Sequence, residues 1–228
     1  MDKELVKADK KVITEIFADA LQNSDFRNWL QYSYRKIRRI RDDKYRFAWN
    51  ISEITFAVHQ YPNGEVAKKI AIGLFGEFFD DNKDWKYFLQ LVKKHCPKAE
   101  SVFSKFSPKD LYGVGIGVEY SSNRWIWKFY VATNQGKMIG VNCENGRILE
   151  VKEYDLDEKV VKVKGKHKRI QFNIEADGVE AFKAIKLLKE KGHLNDKAYK
   201  IAEAIVLRDM ALDTISVSPT RGIALYFE

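Results

Sequence analysis

Residues 112–132, YGVGIGVEYSSNRWIWKFYVA, decide the fold class of this chain. Two runs in this stretch alternate large apolar side chains with small or polar ones, which is the period of a β-strand. Ser122 and Asn123 lie between the runs and favour a tight turn. The stretch is therefore predicted to form an antiparallel β-hairpin in which Ile116 lies opposite Phe129.

The two faces of this hairpin differ in kind. One face is bulky and apolar, and the other carries Gly113, Gly115 and Gly117, the glycine floor, beside Lys128 and Tyr130. Glycine weakens a strand and often marks the close approach of a ligand or of another chain segment. Three interpretations remain open: a helix or an aromatic ring packs on the floor, a ligand groove or barrel lumen lies there, or the face is open to water.

Four further hairpins are predicted from turn residues between alternating runs, so that hairpins follow one another over 112–174. Asn-Gly between such runs is a strong hairpin signal, and it occurs twice. Polar residues including Glu150, Lys152 and Gln171 share one face of the third and fourth hairpins, which we interpret as facing water. The four hairpins span 52–75 around Pro62-Asn63-Gly64, 137–153 around Asn145-Gly146, 159–174 around Gly165–Lys168, and 213–227 around Ser218–Gly222.

Helical periodicity marks three stretches between the hairpins. Helices are predicted over 11–41, 82–106 and 178–211, and each stretch divides in two, which gives about six helical segments. No linker rich in Ser, Pro or Gly separates these elements. The sequence therefore predicts a single α+β domain over 1–228, in which about five antiparallel hairpins form an open or barrel-like sheet covered on one face by helices.

The bulky faces of the hairpins are expected to form the core against the helices. Their members share one parity in each strand, so they point to one side of the sheet. The residues predicted to be buried are Phe56, Ile70, Ile72, Ile116, Trp127, Phe129, Val141, Leu149, Ile215 and Leu225.

Positive charge is concentrated in two segments of a chain that carries +8 at pH 7. Residues 35–46 hold seven basic residues against two acidic ones, and residues 159–169 hold six basic residues and no acidic one. The rest of the chain carries a small negative charge, so the excess is local, which favours a polyanionic partner. For each segment taken alone, a solvated helix face or hairpin tip is the simpler interpretation.

Several classes of protein are disfavoured by what the sequence lacks. No apolar run approaches the roughly 18 residues of a membrane span, and no apolar signal follows the polar start. The two cysteines, Cys96 and Cys143, cannot form a disulfide framework, so we expect a cytoplasmic protein with reduced thiols and no membrane partner. The histidines lack metal-ligand spacing, and no phosphate-loop, dinucleotide or serine-elbow motif occurs, so neither a metal nor a cofactor is predicted.

Two parts of the chain resemble known families. The segment Trp125–Val151, with WIWKF followed by ENGRIL, looks like the strand-and-hairpin half of a PepSY module. Five hairpins with Lys and Tyr on the inner face and helices outside resemble the αββα barrel of aromatic prenyltransferases. That barrel also has helices between the second, third and fourth hairpins, where this sequence predicts none. Neither likeness assigns the chain to a family.

The first functional hypothesis is a binding protein for a polyanion, above all nucleic acid. Segments 35–46 and 159–169 would contact phosphates. Localised charge favours this hypothesis slightly over the alternative. The contact residues would be Arg38, Arg39, Arg41, Lys166 and Lys168.

The alternative is a small-ligand-binding protein or a transferase-type enzyme. A phosphate-bearing anion would lie in a sheet groove over the glycine floor, so a cavity above Gly115 would favour this hypothesis. The ligand-binding residues would be Lys69, Lys128, Tyr130 and Gly115, and the candidates for proton transfer are His59, Glu119 and Tyr130.

Overall fold

The computed structural model describes residues 2–44, 54–122, 124–155, 160–162 and 168–228. Its strands form one antiparallel sheet in the order β6-β5-β4-β3-β2-β1-β10-β9-β8-β7, so five hairpins pair in sequence and β1 joins β10. The strands are β1 (Ile54–Gln60), β2 (Val66–Phe75), β3 (Leu111–Tyr120), β4 (Trp125–Thr133), β5 (Lys137–Glu144), β6 (Arg147–Asp155), β7 (Val160–Lys162), β8 (Lys168–Ala176), β9 (Leu212–Ser218) and β10 (Gly222–Phe227).

The helices precede the first, second and fifth hairpins, which confirms the predicted α+β fold. The first helix begins at Asp2, earlier than the predicted start at residue 11. Within the described ranges, no helix has the length and apolar character needed to cross a bilayer. The α-helices are α1 (Asp2–Glu15), α2 (Ser24–Lys44), α3 (Lys83–His95), α4 (Glu100–Phe103), α5 (Gly178–Glu190) and α6 (Asp196–Val206).

The predicted turn of the first hairpin and the predicted register of the second hairpin are confirmed. The N–H of Tyr61 donates to the carbonyl oxygen of Glu65 at 2.8 Å, which closes the first hairpin. Gly64 in that turn has a φ of +83°, a conformation that glycine adopts without strain. In the second hairpin Ile116 lies opposite Phe129, as the alternation predicts.

The core lies between the convex face of the sheet and the helices. Phe129 of β4 is fully buried, and its ring centroid lies 5.9 Å from that of Phe88 on α3, edge to face at 85°. Trp29 of α2 is also fully buried, and its indole N–H donates to the carbonyl oxygen of Ile72 at 3.3 Å. These contacts fasten α2 and α3 to the apolar face that the hairpin parity predicted.

Two predicted core residues, Leu149 and Ile215, are not buried. The pairing of β5 with β6 shifts register between Asn142 and Cys143, and Leu149 has no partner at this β-bulge. The bulge turns Leu149 outward, where it is 47% exposed, and Ile148 packs against the core instead. Ile215 is half-buried and packs against the core from its margin. The other eight predicted core residues are buried.

The expectation of reduced thiols is wrong in this structure. Cys96, the residue after α3, and Cys143 of β5 form a disulfide with their Cα atoms 6.0 Å apart. Both residues are fully buried. They are 47 positions apart in the chain, and only the docking of the end of α3 near β5 brings them together. Periodicity predicts each element but not this docking, so the sequence pattern gives no sign of the bond.

Candidate ligand-binding site

The concave face of the sheet encloses a cavity, which we call the lumen. The sheet curls so far that Arg221, in the β9–β10 turn, forms a 2.6 Å ion pair with Glu150 of β6, although strands β1–β5 separate β6 from β10 in the sheet. The lumen has a volume of about 260 Å³, and strands β1–β6 and β8–β10 all contribute to its wall. A half-barrel of this kind brings side chains from distant strands to one small space.

Two of the three interpretations of the glycine floor apply, each to a different glycine: an aromatic ring packs on one part of the floor, and the lumen lies over another. Phe75 of β2 packs over Gly113, where a Cβ atom would come within 2.5 Å of the ring. Gly115 lines the lumen, and a Cβ atom there would make only ordinary contacts, the nearest at 3.4 Å from Phe75 Cζ. A Cβ atom at Gly117 would lie 2.7 Å from Ala71 Cβ, so this glycine permits close packing between β2 and β3.

Lys69 lies in the lumen wall near two tyrosine rings. Its Nζ lies 4.9 Å from the ring centroid of Tyr226 on β10 and 5.6 Å from that of Tyr130 on β4. A Cβ atom at Gly140 would lie 3.2 Å from the Tyr130 ring, so the glycine lets this ring lie close against β5. The electron-rich faces of both rings attract the ammonium group and keep its charge in the lumen.

Glu119 of β3 is the centre of a buried cluster at the end of the lumen away from Phe75. Its carboxylate lies 2.6 Å from Lys128 Nζ and 3.3 Å from His59 Nδ1, and it accepts a hydrogen bond from the Tyr61 hydroxyl. Burial acts to raise the pKa of Glu119, but Lys128 and His59 together lower this pKa well below its ordinary value. Glu119 is therefore ionised and balances the charge of Lys128.

The other ring nitrogen of His59 is also engaged. Nε2 donates to the carbonyl oxygen of Arg221 at 2.6 Å. This bond joins β1 to the turn that leads into the neighbouring strand β10, so the Glu119 cluster is tied to the turn that carries Arg221. Burial, with the charge of Glu119, raises the pKa of Tyr61, so its hydroxyl keeps its proton and remains a donor.

A second ion cluster lies where β6 meets the β9–β10 turn. Besides Arg221, the carboxylate of Glu150 contacts Lys152 Nζ at 3.2 Å and accepts a hydrogen bond from the Asn142 amide at 3.0 Å. Burial acts to raise the pKa of Glu150, but Lys152 and Arg221 lower it overall. The two clusters line a recess of about 40 Å³ next to the main cavity.

The structure brings together the residues predicted for the small-ligand hypothesis. A cavity does lie over Gly115, which is the observation that favours this hypothesis. The main cavity is lined by Lys69, Lys128, Tyr130 and Gly115, and the adjoining recess is lined by His59, Glu119 and Lys128.

The residues of the nucleic-acid hypothesis lie elsewhere. Arg38 and Arg39 are exposed on α2. Arg41 lies in the last part of α2 and Lys168 begins β8, but their side chains fall outside the described part of the chain, as does the whole of Lys166. Within that part, the lumen wall contains none of these residues.

Sequence reasoning missed several residues of the site. The interpretation that Glu150, Lys152 and Gln171 face water is wrong, because the sheet curls and their face becomes part of the lumen. Lys152 is only 9% exposed. Alternation groups these residues on one face but does not show whether that face is open or enclosed. The missed residues include Tyr61, Glu150, Lys152, Gln171, Arg221 and Tyr226.

The donor set does not favour a metal. Among the residues that the structure describes, no group of three or more His, Cys, Asp or Glu side chains is placed to hold an ion. The carboxylates of both clusters contact lysine and arginine instead. The arrangement suits the binding of an anion by ammonium groups.

Comparisons with known proteins support the fold. No protein-family model matches the chain, and no curated protein matches it in sequence. The structure is similar to that of a 6-dimethylallyl tryptophan synthase, with a TM-score of 0.55, 13% identity, and coverage of 78% of this chain and 81% of the other. It is also similar to the 6-dimethylallyltryptophan synthase from Micromonospora olivasterospora in complex with DMASPP and Trp, with a TM-score of 0.56, 14% identity, and coverage of 78% and 82%.

At these identities the likeness shows a shared fold. The resemblance of the sequence to the αββα barrel of prenyltransferases is thus supported at the level of architecture. The described residues form no helix between the β3–β4, β5–β6 and β7–β8 hairpins, and their helices precede the first, second and fifth hairpins instead.

Proposed function

We propose that the lumen binds a small phosphate-bearing anion and that the protein is a transferase-type enzyme acting on such a ligand. The observation that carries the proposal is the convergence of Lys69, Lys128 and Lys152, from three strands, on one cavity. Ammonium groups donate charge-assisted hydrogen bonds to phosphate oxygens, and low dielectric strengthens them. The similar structure in complex with DMASPP supports an anionic ligand in a fold of this kind.

The charges of the wall indicate where the anion would lie. Asp213 and Glu228 also line the lumen, on the side of β9 and β10, and would repel an anion. The three lysines project from β2, β4 and β6, so the phosphate group is expected on that side. Glu119 and Glu150 form ion pairs with Lys128 and Lys152, and the ring faces of Tyr130 and Tyr226 hold Lys69 in the wall, so all three lysines would meet the ligand from fixed positions.

The same electrostatics assign roles to the candidates for proton transfer. Glu119 has a lowered pKa, so at neutral pH it is a weak proton acceptor and acts as the counter-ion that positions Lys128. Tyr130 lines the main cavity beside Lys69 and is the candidate that a bound ligand would touch. His59 lies in the recess and would support Glu119 rather than contact the ligand.

Isothermal titration with inorganic pyrophosphate tests the proposal. We expect the wild-type protein to bind, and we expect Lys69→Met to weaken binding about tenfold to a hundredfold, because a charge-assisted hydrogen bond contributes about 1.5–3 kcal/mol. Lys86→Met removes an exposed lysine of α3 and is the control that should leave binding unchanged. Absence of saturable binding to the wild-type protein, or equal binding by Lys69→Met, would contradict the proposal.

A further inference from the structure

A second cavity lies on the convex side of the sheet, opposite the lumen. Lys68 of β2 and Tyr120 of β3 lie opposite each other in its floor, and Trp125 of β4 continues the row. Lys69, the next residue of β2, lines the lumen instead, because successive strand residues point to opposite faces. We call the second cavity the α6 cleft, since α6 forms one wall, and the end of α1 with the turn after it forms the other. Its volume of about 720 Å³ is larger than the 260 Å³ of the lumen and suits a small organic ligand.

Helix α6 has two different faces. One face packs into the core through Ala198, Ala202 and Ile205, which are fully buried. The residues of the other face recur at helical spacing and line the cleft, so they form a continuous stripe along its wall. The stripe combines basic groups with apolar surface and consists of Lys197, Lys200, Ile201, Ala204 and Arg208.

The acidic residues of the α6 cleft are already paired with basic ones. Arg208 Nη2 contacts the Glu15 carboxylate at 2.6 Å, which joins the two walls. Lys68 Nζ contacts the Asp19 carboxylate at 2.9 Å and donates to the carbonyl oxygen of Ile16 at 2.8 Å, which joins the floor to one wall. These contacts hold the walls in place, and the four charges compensate one another.

Two lysines at the start of the stripe carry positive charge without such a partner. Lys197 and Lys200 are exposed and form no ion pair among the residues that the structure describes. Asp196, their acidic neighbour on α6, contacts Lys189 of α5 at 2.7 Å instead. Side chains three positions apart on a helix are neighbours, so one anionic group can contact both lysines.

The floor adds an aromatic surface with an unused donor. The rings of Trp125 and Tyr120 stack with their centroids 5.5 Å apart and their planes at 27°. The indole N–H of Trp125 is buried, and within the described ranges no hydrogen-bond acceptor contacts it. An indole N–H can only donate, so its natural partner is an acceptor such as a carboxylate oxygen. Ammonium groups, a free donor and an aromatic surface together match a ligand that joins an anionic group to an apolar body.

We propose that the α6 cleft is a second ligand site, separate from the lumen, for a small organic acid with a ring-sized apolar body. The anionic group would lie at Lys197 and Lys200, and the body would pack on Ile201 and on the stacked rings of Trp125 and Tyr120. Charge complementarity carries this choice, because the charges without an ion partner in the described wall are both positive. The inference does not depend on the proposed function of the lumen.

Two naphthalene dyes test the proposal, because they share a ring system and differ in charge. 1-Anilinonaphthalene-8-sulfonate carries a sulfonate group, and N-phenyl-1-naphthylamine lacks it. Both dyes gain fluorescence in apolar surroundings, so fluorescence titration measures their affinities. We expect the wild-type protein to bind the sulfonate dye saturably and about fivefold or more tightly than the neutral dye.

Variants of the stripe separate its charge from its apolar surface. Replacing Lys197 and Lys200 together by Gln should weaken the sulfonate dye about fivefold or more and leave the neutral dye within about twofold. Lys183→Gln with Lys186→Gln is the matched control, since these exposed lysines of α5 have the same spacing but lie outside the cleft, and both affinities should stay as in the wild type. Ala204→Phe fills the middle of the stripe and should weaken both dyes about threefold or more.

A variant of the other cavity shows where the dye binds. Gly115→Val narrows the lumen and should leave the affinity for the sulfonate dye within about twofold. Loss of dye binding in this variant would place the dye in the lumen and overturn the inference. Wild-type affinity after removal of both Lys197 and Lys200 would contradict it too, because the dye would then bind an apolar surface elsewhere.

The wild-type protein alone can also refute the inference. Absence of saturable dye binding by a monomer would show that the cleft takes no such ligand. Absence of dye binding together with a dimer in analytical ultracentrifugation would show that a second copy of the chain covers the cleft. Each of these results would leave the proposed function of the lumen standing, because the pyrophosphate titration tests it separately.

Discussion

The convex and concave faces of β4 consist of alternating residues, yet they are stabilised in different ways. On the convex face Phe129 is fully buried among aromatic rings, including that of Trp127 at 5.8 Å. On the lumen face Lys128 is nearly as buried, at 4% exposed, but its burial depends on the carboxylate of Glu119. Burial alone therefore does not distinguish core from site. The distinction lies in what replaces the water around a side chain when it is buried: apolar packing in the core, or an ion partner in the site.

From this comparison we expect substitutions on the convex face to cause the largest loss of stability. Phe129→Ala removes a ring that contacts Phe88 and Trp127, and the cavity left behind should cost about 3–5 kcal/mol of unfolding free energy. Phe172→Ala on β8 is the matched control, because that ring is 50% exposed, and it should cost less than about 1 kcal/mol. Urea denaturation of both variants measures the difference. Equal losses would show that helix packing does not define the core.

Substitutions on the lumen face should reduce stability nearly as much, because they leave a buried charge without its partner. Glu119→Gln leaves Lys128 buried without its carboxylate, which should cost about 3 kcal/mol of unfolding free energy. Glu153→Gln is the control, since this exposed carboxylate lies 3.9 Å from Lys137 and should contribute less than about 1 kcal/mol. Equal stability of the two variants in denaturant would show that the Glu119 cluster is solvated.

The pH dependence of stability offers an independent check on Glu119. Because its pKa is lowered in the folded protein, Glu119 contributes stability that is fully present above its ordinary pKa of 4.5 and is lost as pH falls through the lower folded value. The wild-type protein should therefore lose more unfolding free energy than Glu119→Gln when the pH is taken from neutral to below 4.5. Parallel losses in the two proteins would contradict an ion pair at this site.

Local patterns were sufficient to predict the pairing of strands and much of the core. Alternation and turn residues predict Ile116 opposite Phe129 and the turn at Gly64, because these features depend on neighbours in the chain. The pattern fails at Leu149, where one extra residue in a β-bulge reverses parity without any change in residue type.

The candidate site was predicted only in part, because only the β3–β4 pair has a residue composition that signals a site. The glycine floor beside Lys128 and Tyr130 is an unusual composition for a water-facing strand, so it indicates an occupied face. Lys152 has no such signal, since a lysine on an exposed strand looks the same. Its place in the lumen, like the Cys96–Cys143 disulfide, depends on how far the sheet curls and where helices dock. Those are tertiary properties that no local period encodes.

Two glycines of the floor sharpen the comparison within a single strand. Gly117→Val would place a Cβ atom 2.7 Å from Ala71 Cβ and should cost about 1–3 kcal/mol through overpacking. At Gly115 the nearest atom would lie 3.4 Å away, so Gly115→Val should change stability by less than about 1 kcal/mol. It should instead weaken binding of inorganic pyrophosphate in the lumen. Thermal melts and titrations of both variants test this, and retained binding by a stable Gly115→Val variant would remove the ligand from the floor.

The smallest expected effect concerns the basic helix end, the segment that first suggested nucleic acid. Arg38 and Arg39 are exposed on α2 and do not belong to the described lumen wall. Replacing Arg38, Arg39 and Arg41 together by Ala should therefore leave pyrophosphate affinity within about twofold, since solvent and salt screen the charges of exposed side chains. A larger loss would show that this segment belongs to the anion site.

The same triple variant separates lumen binding from the nucleic-acid hypothesis. Contacts to a phosphate backbone release counterions, so affinity for single- or double-stranded nucleic acid would fall steeply with salt, and each arginine removed would lower the slope by about one unit. A salt titration of wild-type and variant proteins measures both slopes. Because the three lysines converge in the lumen and not on α2, we expect flat salt dependence and no difference between the proteins. A salt dependence of nucleic-acid binding that becomes weaker when the three arginines are removed would establish a second anionic partner on a surface separate from the lumen.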